Sequence, residues 1–320
     1  MTLEKKHSNK IYYAMIWFVV GVWGVSPLFA DYMHHYYSAS ILNALIGFSA
    51  FISLLIICAK KLKYINKDLL KIAIPTGFIN AVASLLQKIG LTAGATPSNY
   101  AFLENLSCVV VPVLMFLFIG KKPGVLKILG SIFCLGGCFI LSIDPVTTSF
   151  GFATGDILCA IAGVLYGFNI AMTGAFAKKV DSALFVLVHM FVNMVVSTIT
   201  AFALNAITIG GTPIEPLMFS FSPLLILAVA GVALLTNCLC WTLRTTAVKH
   251  IDATAVSVIM PLSAVVTSVV SIIIGTDTLS LYLCLGAVVC VGAVILCGIG
   301  DARETKMLEK RNANINQDKC

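Results

Sequence analysis

Uncharged apolar blocks about twenty residues long recur along this chain, and they limit its folding options more than any other feature. Residues 11–30, 157–177, 253–276 and 278–300 carry no charged side chain. A membrane span needs about 20 predominantly apolar residues, and a helix satisfies its own backbone groups in lipid. The whole chain is 59% hydrophobic and only 11% charged over 320 residues, with a mean hydropathy of +0.99. A soluble domain of this size carries roughly 25% charged residues. The expected class is therefore all-α and polytopic, with about ten transmembrane helices near 11–31, 38–58, 69–90, 97–119, 124–143, 153–176, 182–206, 221–243, 253–275 and 279–299. The first block is read as a retained span, because its apolar run exceeds the usual length of a signal-peptide core.

Charge placement orients these spans. Of the 21 Lys and Arg, 20 precede span one, follow span ten, or lie in every second loop; Arg244 and Lys249 are placed in the loop after span eight. The exception is Lys88. The alternate loops hold Asp31, Asp144, Asp156, Glu215 and Asp277. The positive-inside rule then puts both termini in the cytoplasm and requires an even number of spans. The net charge of +7 is thus accounted for by membrane orientation, and nucleic acid is excluded as a partner. The expected organisation is a cytoplasmic N-terminus at 1–10, a first five-helix repeat at 11–143, a second at 153–299, and a polar cytoplasmic tail at 300–320, helical or disordered.

The repeat is read from matched local patterns. GVWGVSPLF around Trp23 pairs with GVLYGFNIA around Tyr166. The end of span four at Gly120 pairs with the end of span nine at Gly275, and Gly130 and Gly136 pair with Gly286 and Gly292. The offset moves only from 143 to 156 residues. An odd number of spans per repeat inverts the second copy in the membrane, an architecture of secondary transporters with the site at the repeat interface.

With these features the chain resembles the drug/metabolite transporter superfamily, specifically its EamA-type ten-helix members, over about residues 11–300. The resemblance rests on Trp23–Gly24 and Tyr166–Gly167, on residues 92–120 with Pro112, and on residues 251–275 with Pro261. It implies a transporter, often an exporter, of a small polar metabolite, amino acid or drug-like compound. It also implies a cavity between spans 1, 3, 4, 6, 8 and 9, with spans 5 and 10 peripheral. Many relatives carry Arg in the second helix where this chain has Asn43, so no role of that Arg transfers. The implied location is a bacterial plasma membrane. The expected partners are the lipid bilayer and a small-molecule substrate, with a homodimer left open.

Ionisable groups within spans face cavities or one another. Glu104 lies inside span four, Lys88 near the outer end of span three, and His189 about two turns into span seven. Glu104 is either a proton-coupling or cation-binding carboxylate or the partner of Lys88 in an ion pair. Lys88 is either an anchor for a substrate carboxylate, that partner, or a side chain snorkelling to the interface. For His189 the choice is between a buried hydrogen-bonded histidine and a proton relay, on a helix not expected to line the cavity. Polar side chains recur at helical spacing: Asn80, Ser84 and Gln87 in span three, Tyr100 beside Glu104 in span four, Tyr166 and Asn169 in span six, and Asn237, Trp241 and Arg244 in span eight. Of these, Asn80, Gln87, Tyr100, Glu104, Tyr166, Asn169, Asn237 and Trp241, together with Trp23 and Lys88, are the candidates for substrate binding or coupling, the alternative being interhelical hydrogen bonds. Pro112 and Pro261 are candidate hinges. No HExxH, GxSxG or Walker pattern occurs, so no catalytic residue, ATP site or cofactor is expected; the alternative to a transporter is a membrane-embedded enzyme or a receptor without transport activity. The eleven cysteines, including the close pairs Cys134/Cys138 and Cys238/Cys240, are read as small packing residues rather than metal ligands.

Overall fold

The computed structural model describes residues 2–95, 102–120, 122–143, 154–209, 211–275 and 280–317. Tyr100 and Pro97 lie outside them. Among the described residues ten α-helices follow one another: α1 (Thr2–His34), α2 (Ala39–Ile57), α3 (Lys67–Thr92), α4 (Phe102–Ile119), α5 (Val125–Leu141), α6 (Thr154–Phe176), α7 (Ser182–Ala206), α8 (Pro223–His250), α9 (Ala253–Ile274) and α10 (Leu281–Gln317). Eight are long and apolar enough to cross a membrane; α1 and α5 supply shorter apolar stretches at Lys10–Ser26 and Val125–Leu141. The only sheet among the described residues is a short hairpin between α7 and α8, β1 (Thr208–Ile209) with β2 (Thr212–Pro213). The protein is an all-α, multi-pass membrane protein.

Helix ends are set by local chemistry. Asp181 caps α7 by accepting from the Ala183 and Leu184 amides at 2.9 and 3.1 Å. Asp252 caps α9 by accepting from the Thr254 amide at 2.8 Å. These contacts satisfy amides that have no partner within the helix. Gly120 and Gly275 end α4 and α9 in the left-handed conformation, at φ 64° and 82°, which glycine adopts without a Cβ clash.

The helices pack in pairs that a two-fold exchange of the halves preserves. α5 packs on α10 and α2 on α7, each pair mapping onto itself. α3 packs on α6, as α8 packs on α1; α4 packs on α6, as α9 packs on α1. The glycines of the paired motifs make this possible. A Cβ on Gly24 would lie 2.5 Å from Val266 of α9, and one on Gly167 would lie 2.8 Å from Val110 of α4. Small residues at such crossings let helix backbones approach closely.

The structure adds detail to three expectations and corrects the first. Helix α8 runs on to His250, so Arg244 and Lys249 belong to a helix and not to a loop; the link to α9 is only residues 251–252. Its length is accommodated by a π-helical segment, Ala233–Cys240, a widened turn common at functional sites. Of the two alternatives for the segment after 300, residues 301–317 take the helical one, as a continuation of α10 and not as a separate short helix. Finally, the two hinge candidates differ. α9 is interrupted at Met260–Pro261, whereas α4 is regular at Pro112 and tightens earlier, at Asn105–Leu106, where amides bond three residues back.

Candidate functional site

Two polar groups face each other across the bundle interior. The first joins α3, α4 and α6. The Gln87 amide nitrogen donates to Glu104 at 2.9 Å, and the Tyr166 hydroxyl donates to the Gln87 amide oxygen at 2.8 Å. One glutamine thus links the carboxylate to the aromatic of the paired motif. Glu104 sits just before the tightened turn of α4. Lys88 is not its partner: the lysine lines a small cleft with Ala39, Leu204 and Glu215 instead. Glu215 meanwhile accepts from the Ser40 amide and hydroxyl, closing the start of α2.

The second group joins α1, α7 and α8. The Arg244 guanidinium lies 4.6 Å from the Trp241 ring and 5.8 Å from the Trp23 ring. The two indoles are 5.9 Å apart. The Trp23 indole N–H donates to the Thr236 carbonyl at 3.3 Å, within the π-helical segment. Asn237 in the same segment donates to the Thr236 hydroxyl at 2.9 Å. The His189 ring lies 5.6 Å from Trp241, and its Nε2 hydrogen-bonds to the Thr76 hydroxyl at 2.7 Å. Asn169 donates to the Thr76 carbonyl at 3.0 Å. His189 is therefore hydrogen-bonded, and its helix does reach the polar interior. Tyr166 belongs to the first group through its hydrogen bond to Gln87.

Hydrogen bonding here is incomplete. Arg244 Nε, His189 Nδ1, Asn80 Oδ1 and Asn169 Oδ1 are buried with no hydrogen-bond partner among the described residues. Leaving one such group unpaired costs about 1–3 kcal/mol. Arg244 is only 6% exposed, and no carboxylate pairs with it among the described residues. Cation–π contact returns about 2 kcal/mol when desolvated, while burying the charge costs several kcal/mol. The balance favours any anion that reaches it. By contrast Asn43 is well satisfied: it donates to Ser197 at 2.8 Å and Asn193 at 3.3 Å and accepts from Ser84 at 3.3 Å. This uncharged network occupies the place where the resemblance leads one to look for Arg.

Arg244 was legible as a basic residue but not as a buried one, since in sequence it follows the apolar block of span eight. An extension of about two turns, with threonines at 242, 245 and 246, was the available signal: such side chains bond back to their own helix, as Thr242 and Thr246 do.

A different polar node closes the end of the bundle that carries the basic residues. Lys127 of α5, 1% exposed, reaches Asp252 at 3.1 Å, Asp301 at 2.9 Å and Glu304 at 2.7 Å. Tyr13 of α1 donates to Asp301 at 2.7 Å, and the Gly124 amide donates to Glu304 at 2.9 Å. Nearby, Tyr12 stacks on His250 with centroids 4.1 Å apart, and Lys249 donates to the Val180 carbonyl at 2.6 Å and to Ser182 at 2.7 Å.

The comparisons agree with this architecture. One solved crystal structure, described only as "Crystal structure of protein", superposes with a TM-score of 0.73 over 92% of this chain and 98% of its own, at 14% identity. That likeness concerns the fold alone. No curated protein matches the chain in sequence. A model of the EamA-like transporter family matches twice, over residues 10–143 and 153–299. Those two matches fall on the two halves of the duplicated bundle and take in most of its length, so the chain belongs to the EamA-like transporter family.

Proposed function

We propose that the protein is a secondary transporter, and an exporter, of a small anionic or zwitterionic metabolite such as an amino acid. The observation that carries this reading is the buried Arg244, covered by Trp23 and Trp241 and lacking a carboxylate partner among the described residues. A substrate carboxylate supplies the missing counter-charge. Glu104, held by Gln87, accepts the substrate ammonium or carries the coupling proton. Asn80, Asn169 and Asn237 provide neutral polar contacts along the path. Lys88 lies beside Glu215 near the other end, the side on which an exporter releases its substrate. The chain moves its substrate without chemically altering it.

The positive-inside rule sets both termini in the cytoplasm of a plasma membrane. The Lys127 node then closes the cytoplasmic end. Alternating access follows from rocking of the α3–α6 pair against its equivalent, the α8–α1 pair. The Met260–Pro261 interruption of α9 and the tightened turn of α4 are where these helices bend.

The test is counterflow in liposomes, screening amino acids and other small carboxylates. Accumulation of labelled substrate by wild type names the substrate class. Glu104→Gln is expected to keep counterflow and lose the component driven by an imposed pH gradient. If only uncharged or purely cationic compounds exchange, the role given to Arg244 is wrong.

A further inference from the structure

Three buried thiols meet where the two repeats cross at α5 and α10. Cys134 and Cys138 lie four residues apart on α5 and so share one face of that helix. Cys290 of α10 packs against them. The three Sγ atoms all lie within 4.8 Å of one another, with Cys138 and Cys290 4.0 Å apart. None of the three residues is more than 2% exposed, and all three are free thiols. Their alternative partners are weak: Cys134 reaches the Val258 carbonyl at 3.5 Å and Cys290 the Cys134 carbonyl at 3.8 Å. Cysteine arithmetic along the sequence could not find this group, because the third ligand comes from the other repeat.

Sulfurs bound to one ion at about 2.3 Å, in trigonal or tetrahedral array, stand about 3.8–4.0 Å from each other. The Cys138–Cys290 spacing already has that value. We propose that Cys134, Cys138 and Cys290 form a binding site for a soft divalent d10 cation that ties the two repeats together. Thiolate donors select such ions over hard ones. The surroundings set the protonation state. The cluster lies among apolar side chains of α4, α5, α9 and α10, where a net charge is disfavoured. Two thiolates and one neutral thiol around a divalent ion make a neutral complex. Binding therefore forms three metal–sulfur bonds, breaks two S–H bonds and releases two protons, with no electron transferred. The site does not depend on the transport reading.

The test uses the full chain in detergent micelles with Cd²⁺ as the probe, in a Cys284→Ser, Cys320→Ser background that removes the thiol exposed among the described residues and the C-terminal one. The expected result is a sulfur-to-cadmium charge-transfer band saturating at one equivalent, with two protons released per ion. Cys138→Ser and Cys290→Ser abolish the band. Cys108→Ser keeps it, because that thiol, although it adjoins Cys134, points to the Ser131 carbonyl at 3.4 Å and is not among the three mutually close sulfurs. X-ray absorption on the Cd²⁺-loaded chain needs no ligand variant and decides the matter if those variants fail to fold. A first shell with three sulfurs supports the site. Fewer sulfurs, a nitrogen or oxygen shell, or a band unchanged in Cys138→Ser and Cys290→Ser overturns it.

Discussion

Lys127 and Arg244 are both buried cations in the same bundle, and they differ in what surrounds them. Lys127 sits among three carboxylates contributed by α10 and the start of α9, with Tyr13 and the Gly124 amide completing the set. Arg244 sits between two indole faces with its Nε unpaired among the described residues. One cation has more counter-charge than it needs, and the other has none among the described residues. A cation enclosed by acids from other helices holds those helices together, and the ammonium already stands where the three carboxylates converge. A cation held by aromatic faces keeps its electrostatic demand open, which suits a ligand that must come and go.

The largest effect should come from breaking the first environment. Lys127→Met leaves three clustered acids without their counter-ion. Loss of one partner from a buried pair costs about 3–5 kcal/mol; the lower end is expected, since Asp301 and Glu304 remain 25% exposed. Thermal melts in detergent should show the drop, and adding Asp301→Asn with Glu304→Gln should recover much of it. If Lys127→Met melts like wild type, the node is not what fastens that end.

Arg244→Gln should do the reverse. It removes an uncompensated buried charge, so stability should hold or rise. Substrate affinity should fall roughly 30-fold, the equivalent of about 2 kcal/mol for a lost charge-assisted contact. Binding titrations beside thermal melts separate the two quantities. A variant that is destabilised yet binds normally would place Arg244 in the same structural class as Lys127.

Trp241→Leu tests the aromatic half of the comparison. It forfeits a desolvated cation–π contact of about 1–2 kcal/mol. Affinity should weaken roughly five- to thirty-fold, and Trp241→Phe should retain most of it. Equal losses in Leu and Phe would point to the indole edge rather than to its face.

The smallest effect concerns an exposed pair. Asp181 receives Lys61 at 3.0 Å while capping α7. Partial burial pushes its carboxyl up, but the Lys61 bond and the Leu184 and Ala183 amides outweigh this and hold it below the usual carboxylate range. Its contribution is therefore fully present above the unfolded carboxylate value and fades as pH falls through the lower folded one. The Lys61 ammonium is raised by the hydrogen bond and charge of Asp181, so its share is present below the ordinary lysine value and is lost as pH rises through the higher one. Asp181→Ala should cost about 1 kcal/mol through the lost cap, seen as a small melting shift at neutral pH that shrinks in acid. An unchanged acid limb would assign the cap's value to geometry alone.

The sequence by itself determined the membrane class, the ten helices and the duplication. Those properties live in runs of like residues and in spacing along the chain: apolar blocks of span length, basic residues in every second loop, and glycines that recur in the same order. The Gln87, Glu104 and Tyr166 candidates were legible for the same reason, because polar side chains at helical spacing in an apolar span are conspicuous. Which of them touch was decided only by tertiary packing. Sequence distance offered Lys88 as the partner of Glu104, yet the packing of α3 beside the start of α4 gives it Gln87. The length of α8, and with it the burial of Arg244, depends on a π-helical segment that has no periodicity signature. The Lys127 node and the three thiols each gather residues more than a hundred positions apart. Such meetings are fixed by how the two halves pack, and that information is not local to any stretch of chain.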